Sequence, residues 1–198
     1  MEIFPEKYYH LYNRSNNREL VYRSPENYNY FLKKYRQYFD RYADTIAYCL
    51  MPNHFHFLVY VKPVSFNNEI EDFANDPVVN KMYEAKRNFG TLLSSYAKAI
   101  NKKHKRHGSL FQRHTKAKEI DDLSYLLSLT AYIHQNPVRA KLVSKQEEWE
   151  YSSYLDYIGK RNGTLAKKEV IYNYINSPEE FRKYSEELLD SIEQRYWA

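Results

Sequence analysis

The stretch TIAYCLMPNHFHFLVYV, residues 45–61, constrains the fold of this chain more than any other. Two apolar runs rich in aromatic and branched side chains flank Pro52-Asn53, a turn pair, so the reading is an antiparallel hairpin. A strand sends successive side chains to opposite faces. Phe55, Phe57 and Val59 then share one face, and His54, His56 and Leu58 share the other. Two imidazoles side by side can hold one metal ion; buried histidines bonded to backbone are the plainer alternative.

The flanking segments suggest how the hairpin is built into a sheet. YYHLYN, 8–13, is aromatic and alternating, and reads as a strand ending at the polar cluster RSNNR. Ser24-Pro25 opens a helix running to about Arg41, with Phe31, Leu32, Tyr35 and Tyr38 inward. Residues 63–80 lack a period and carry two prolines, so a loop with at most a short helical turn is expected. A long helix from about Lys81 to Lys105 follows, with Phe89, Leu92, Leu93, Tyr96 and Ile100 at helical spacing. SLFQRHTKAKEI reads as a strand or extended arm, and a helix capped by Asp121 or Asp122 runs until Pro137 ends it. The order is strand, helix, strand, strand, helix, strand, helix. It predicts an α+β, ferredoxin-like split βαβ antiparallel sheet with helices on one face. Trp149–Tyr157 and Pro178–Tyr196 add two C-terminal helices.

Composition removes several classes. At 198 residues the chain suffices for one domain with a full core, or a domain with a small appendage. A single cysteine, Cys49, excludes an internal disulfide and a Cys-rich zinc cluster, and points weakly to the reducing cytoplasm. The start, MEIFPEKYYH, has no apolar signal-like stretch, and FHFLVYV is far too short to span a bilayer. The net charge of +5 is unevenly spread. Residues 98–118 hold eight Lys and Arg and no acid, which leaves the remainder at −3. Such a run is either a solvated helix end or a polyanion-binding patch. Three histidines and Phe111 interleaved with the charges favour the second.

DLSYLLSLTAYIHQNP is the other informative stretch. At 100° per residue Leu123, Leu126, Leu127, Leu129 and Ile133 share an arc, and Tyr132 lies roughly 150° from its centre. Asn136 is one turn beyond Tyr132 on the same polar side, near Tyr125 and Ser128. Tyr132 is thus expected off the core, either as a surface aromatic or beside an amide able to bind metal.

MPNHFHFLV, GSLFQRHTK and YIHQNPVRAKLV together resemble the signature segments of the single-tyrosine HUH transposases, named for a His-hydrophobic-His pair. NPVRA and WEYSSYLDYIG are most similar to the REP-associated tyrosine transposase branch, and YYHLYNRSNNR to its opening strand. The resemblance spans about residues 8–158. It implies a catalytic domain over 1–142, with a C-terminal helical extension over 143–198. The implied activity is cleavage and rejoining of single-stranded DNA beside hairpins through a 5′-phosphotyrosine. Tyr132 would be the nucleophile, and His54 and His56 metal ligands. Asn136 stands where insertion-sequence relatives usually carry a glutamine completing the metal shell. Mg²⁺ or Mn²⁺ suits this set once phosphate oxygens join it, although two histidines are also fair Zn²⁺ ligands. Lys98, Lys102, Lys103, Lys105, Arg106, Arg113 and Lys116 would hold DNA phosphates. The family includes both dimers and monomers, so a homodimer is compatible. Ser15 and Lys141 replace glycines common in relatives. The rival reading is a non-catalytic single-strand binding protein on the same sheet, a domesticated transposase.

Overall fold

The computed structural model describes residues 1–63 and 77–191. Its order is β1 (Tyr8–Arg14), α1 (Pro25–Phe39), β2 (Ala43–Met51), β3 (His54–Val61), α2 (Pro77–His104), β4 (Lys116–Ile120) and α3 (Leu123–Arg139). Two single-turn helices, α4 (Tyr154–Tyr157) and α5 (Glu169–Tyr172), precede α6 (Pro178–Ser191). The strands form one antiparallel sheet in the order β2-β3-β1-β4. β3 inserts between β1 and β2, which is the expected split βαβ arrangement. Residues 77–80, expected in a loop, belong to α2; 64–76, and 192–196 of the expected last helix, lie outside the described residues.

One sheet face carries Leu11, Tyr48, Leu50, Phe55, Phe57 and Val59. It packs on Phe31, Tyr35 and Phe39 of α1 and on Phe89, Leu92, Tyr96 and Ile100 of α2. The Tyr35 ring stacks on Phe57 with centroids 4.1 Å apart. Aromatic pairs of this kind add order in a core beyond the area they bury.

The expected placement of helices on one face holds for the two crossover helices of the split βαβ unit, α1 and α2. α3 covers the opposite face, where Leu126, Leu129 and Ile133 meet Ile46, Cys49, Met51 and Leu58. The reason is in β2, which is apolar at successive positions and so buries both sides. An apolar face cannot be left to water, and α3 closes it. α6 then packs on α3 from outside, with Phe181 fully buried against His134 and Tyr157. The C-terminal segment also shields the β2 edge. Tyr151 O accepts from Leu50 N, Ser153 N donates to Tyr48 O, and Lys167 N donates to Thr45 O. An exposed edge strand invites pairing with other chains, and this backbone occupies it.

α3 does not stop at Pro137 as expected but continues to Arg139. Proline at 137 lacks the N–H that would serve the Ile133 carbonyl. The Asn136 side-chain amide supplies a substitute, donating to Tyr132 O at 2.9 Å and to Ile133 O at 3.4 Å. The helix then ends in a Schellman turn, with Lys141 N on Val138 O and Leu142 N on Pro137 O. That turn puts Lys141 at φ +57°, the left-handed region a glycine would occupy without strain. No helix among the described residues is long and apolar enough to cross a membrane.

Candidate active site

A cleft of about 240 Å³ opens where β1, β3, the segment before β4, and α3 converge. Its lining includes His54, His56, Tyr132, Asn136, Arg14, Lys116 and Arg139. The β3 alternation puts both imidazoles on the α3 side, with ring centroids 5.0 Å apart and planes nearly perpendicular. The His56 and Tyr132 rings lie 6.3 Å apart. Residues 76 positions apart in sequence are thereby brought to one cavity by the packing of α3 on the sheet.

Hydrogen bonds orient the polar groups. Asn53 Oδ1 accepts from His54 Nδ1 at 2.6 Å, which leaves the lone pair of that neutral ring on Nε2. His56 Nδ1 lies 2.9 Å from Nε2 of the buried His10, and the two ring planes are within 24° of each other. The Asn136 amide nitrogen donates to helix carbonyls, so its Oδ1 keeps its lone pairs for a cation or a hydrogen-bond donor. Burial first, then Arg14, brings the His54 pKa down to about 4. Burial, followed by His10 and His54, holds His56 well below its ordinary value. Both rings are therefore neutral near pH 7, the form in which imidazole binds metal. Two imidazole nitrogens and one amide oxygen with lone pairs available fit a hexacoordinate divalent cation whose other sites go to water or phosphate. Among the described residues no group of three or more His, Cys, Asp or Glu is arranged to hold a metal.

Tyr132 departs from the helical-wheel expectation. It is buried, only 5% exposed, and its ring belongs to the apolar cluster under α3. α3 is enclosed by the sheet on one side and α6 on the other, so almost its whole circumference is interior. Leu123, expected in the core, is instead exposed at the first turn. Burial raises the Tyr132 phenol pKa, and Arg139 opposes that shift.

The basic residues separate. Lys116 lines the cleft; Lys98, Lys102, Lys103, Lys105, Arg106 and Arg113 do not. Arg106 is engaged elsewhere, pairing with Glu19 at 2.6 Å and bonding Asn101. Arg113 and His114 line a second groove along α2, and His114 and Gln112 are common to both. Sequence reasoning missed His10, Arg14 and Arg139. The first two carried a readable signal, since alternation along YYHLYNR places His10, Tyr12 and Arg14 on one face. The antiparallel register sets Tyr12 opposite His56 and Arg14 opposite His54.

No family model and no curated protein matches the chain. Solved structures do. One, a REP-associated tyrosine transposase bound to a REP hairpin, superposes with a TM-score of 0.53 over 81% of this chain and 83% of its own. The two sequences are 17% identical, so the likeness is one of fold.

Proposed function

We propose that this protein is a single-tyrosine HUH strand transferase, cutting and rejoining single-stranded DNA beside a hairpin. The observation that carries the reading is the meeting of His54, His56, Asn136 and Tyr132 in one cleft, in a chain whose fold matches a hairpin-bound tyrosine transposase. The Tyr132 hydroxyl attacks the scissile phosphorus as the bond to the 3′ oxygen breaks. The phenolic proton is lost, the 3′ oxygen leaves as a hydroxyl, and the 5′ phosphate stays on tyrosine. Attack by another 3′ hydroxyl reverses the step without ATP, because the phosphoester energy is retained. His54, His56 and Asn136 would hold Mg²⁺ or Mn²⁺, which supplies Lewis-acid polarisation of a phosphate oxygen. Arg14, Lys116 and Arg139 surround the same cavity with positive charge for the phosphates on either side. The exposed Lys98, Lys102, Lys103 and Lys105 extend that field along the end of α2.

The test is covalent capture. A single-stranded oligonucleotide with a hairpin, a randomised flank and a 3′ label is incubated with protein and Mn²⁺. A labelled band surviving SDS, and absent with EDTA, is expected. Hairpin retention without any such band would favour the binding-only reading.

A further inference from the structure

We propose that His10 is a positioning residue that selects the His56 tautomer able to bind metal. This rests on the metal-ligand assignment made above and adds a residue that does not line the cleft. His10 Nε2 and His56 Nδ1 are 2.9 Å apart, and His10 is 4% exposed. Two neutral imidazoles at that distance share one proton, since two facing lone pairs repel and two facing N–H groups clash. Two arrangements result. With the proton on His56 Nδ1, His10 accepts it and His56 Nε2 keeps a lone pair. With the proton on His10, His56 Nε2 carries the hydrogen and cannot bind a cation. An acceptor at the His10 position makes the first arrangement available, and a cation at Nε2 draws the pair into it. Asn53 plays the same part for His54, but as an oxygen acceptor that admits only one arrangement. The two ring planes lie within 24° of each other with centroids 5.1 Å apart, the edge-to-edge arrangement an in-plane N···N contact requires, and that contact fixes the His56 ring plane.

The experiment measures Mn²⁺ binding by electron paramagnetic resonance on the whole DNA-free protein, with folding followed by circular dichroism. His10→Gln places an amide oxygen near the present Nε2 and should bind Mn²⁺ almost as the parent does. His10→Phe keeps the ring but offers no acceptor, and affinity should fall about 10- to 100-fold. His10→Asn keeps polarity but is too short to reach, so it should resemble Phe and serves in its place if Phe unfolds the protein. Parent binding that depends on His56 but is unchanged in folded His10→Phe and His10→Asn would overturn the role of His10 and leave the metal site standing. No Mn²⁺ binding by the parent, or binding indifferent to His56→Ala, would overturn both.

Discussion

Tyr132→Phe isolates the proposed chemistry because it removes one oxygen and keeps the buried ring. The ring belongs to the cluster of Leu129, Ile133 and Tyr157, so truncation to alanine would confound catalysis with roughly 3 to 5 kcal/mol of lost packing. Loss of the hydroxyl alone should cost about 0.5 to 1.5 kcal/mol, the net worth of one hydrogen bond. In a chain of this size that lowers Tm by roughly 1 to 6 °C, which leaves the protein folded at assay temperature. The covalent adduct and the free 3′ hydroxyl should both vanish, since no phosphoester forms without the oxygen. Hairpin affinity should stay within about tenfold, because the cationic contacts are untouched. The assay is the 3′-labelled hairpin capture, run beside a gel-shift titration and a melting curve. Tyr125→Phe, one heptad earlier and not lining the cleft, is the control that should keep full activity. A persistent adduct in Tyr132→Phe would refute the assignment and move attention to Tyr12, which also lines the cleft.

His54→Ala and His56→Ala should each abolish the Mn²⁺-dependent adduct, as read by the same capture gel, while circular dichroism stays that of a folded chain. Replacing the exposed Lys102, Lys103 and Lys105 by Gln should weaken DNA binding for every sequence and flatten its salt dependence; an unchanged slope in a salt titration would put the DNA path elsewhere. Arg161→Leu should cost about 3 kcal/mol by urea unfolding, because it strips the bidentate partner from Asp156, which is 2% exposed. Burial, then Arg161, lowers the His134 pKa to about 3, below the ordinary 6.5. The unfolded chain therefore takes up a proton first, so stability is full above pH 6.5 and declines as pH falls toward 3, by on the order of 1 kcal/mol per pH unit for this group. His134→Gln should shallow that decline in urea titrations from pH 7 to 4.

The sheet was legible because β1 and β3 carry period-two patterns, β2 is a continuous apolar run, and a turn pair separates β2 from β3. TIAYCLM and HFHFLVYV became β2 and β3 with Pro52-Asn53 between, and the antiparallel β1 took its place beside β3. What the pattern underreported was the second apolar face. Ile46, Cys49 and Met51 interleave with Tyr48 and Leu50, so β2 shows no alternation and does not announce that helices lie on both sides. Nor does any local signal foretell that residues 151–167 would bond along the β2 edge, since backbone pairing of that kind leaves little trace in side-chain period. Helix ends were misread for a similar reason. Pro137 reads as a stop, but Asn136 folds its own amide back onto Tyr132 O and onto Ile133 O, the carbonyl that proline cannot serve.

The same asparagine explains why the site was only half legible. Its position one turn after Tyr132 was evident from spacing, but spacing assigns it a polar face, and the helix has almost none. Because α6 roofs α3, a polar side chain there must find partners within the protein or face the cleft. Asn136 does both, with its nitrogen on the helix and its oxygen left over. Tyr132 meets the constraint differently, with its ring in the apolar cluster while the residue still borders the cleft wall. Under the proposed function, a phenol held this way has few rotamers to lose on reaching the reacting geometry, which would favour catalysis by prior positioning. The cost is a phenol that resists ionisation in its dry setting. The positive charge of Arg139, two turns on along the same helix, lowers that resistance, and Arg139→Gln should therefore slow adduct formation by a constant factor below the phenol's titration range and converge with the parent above it. A pH–rate profile that stays below the parent's and parallel to it even where the phenol is fully ionised, with no convergence, would show that Arg139 acts on the DNA phosphate and not on the tyrosine.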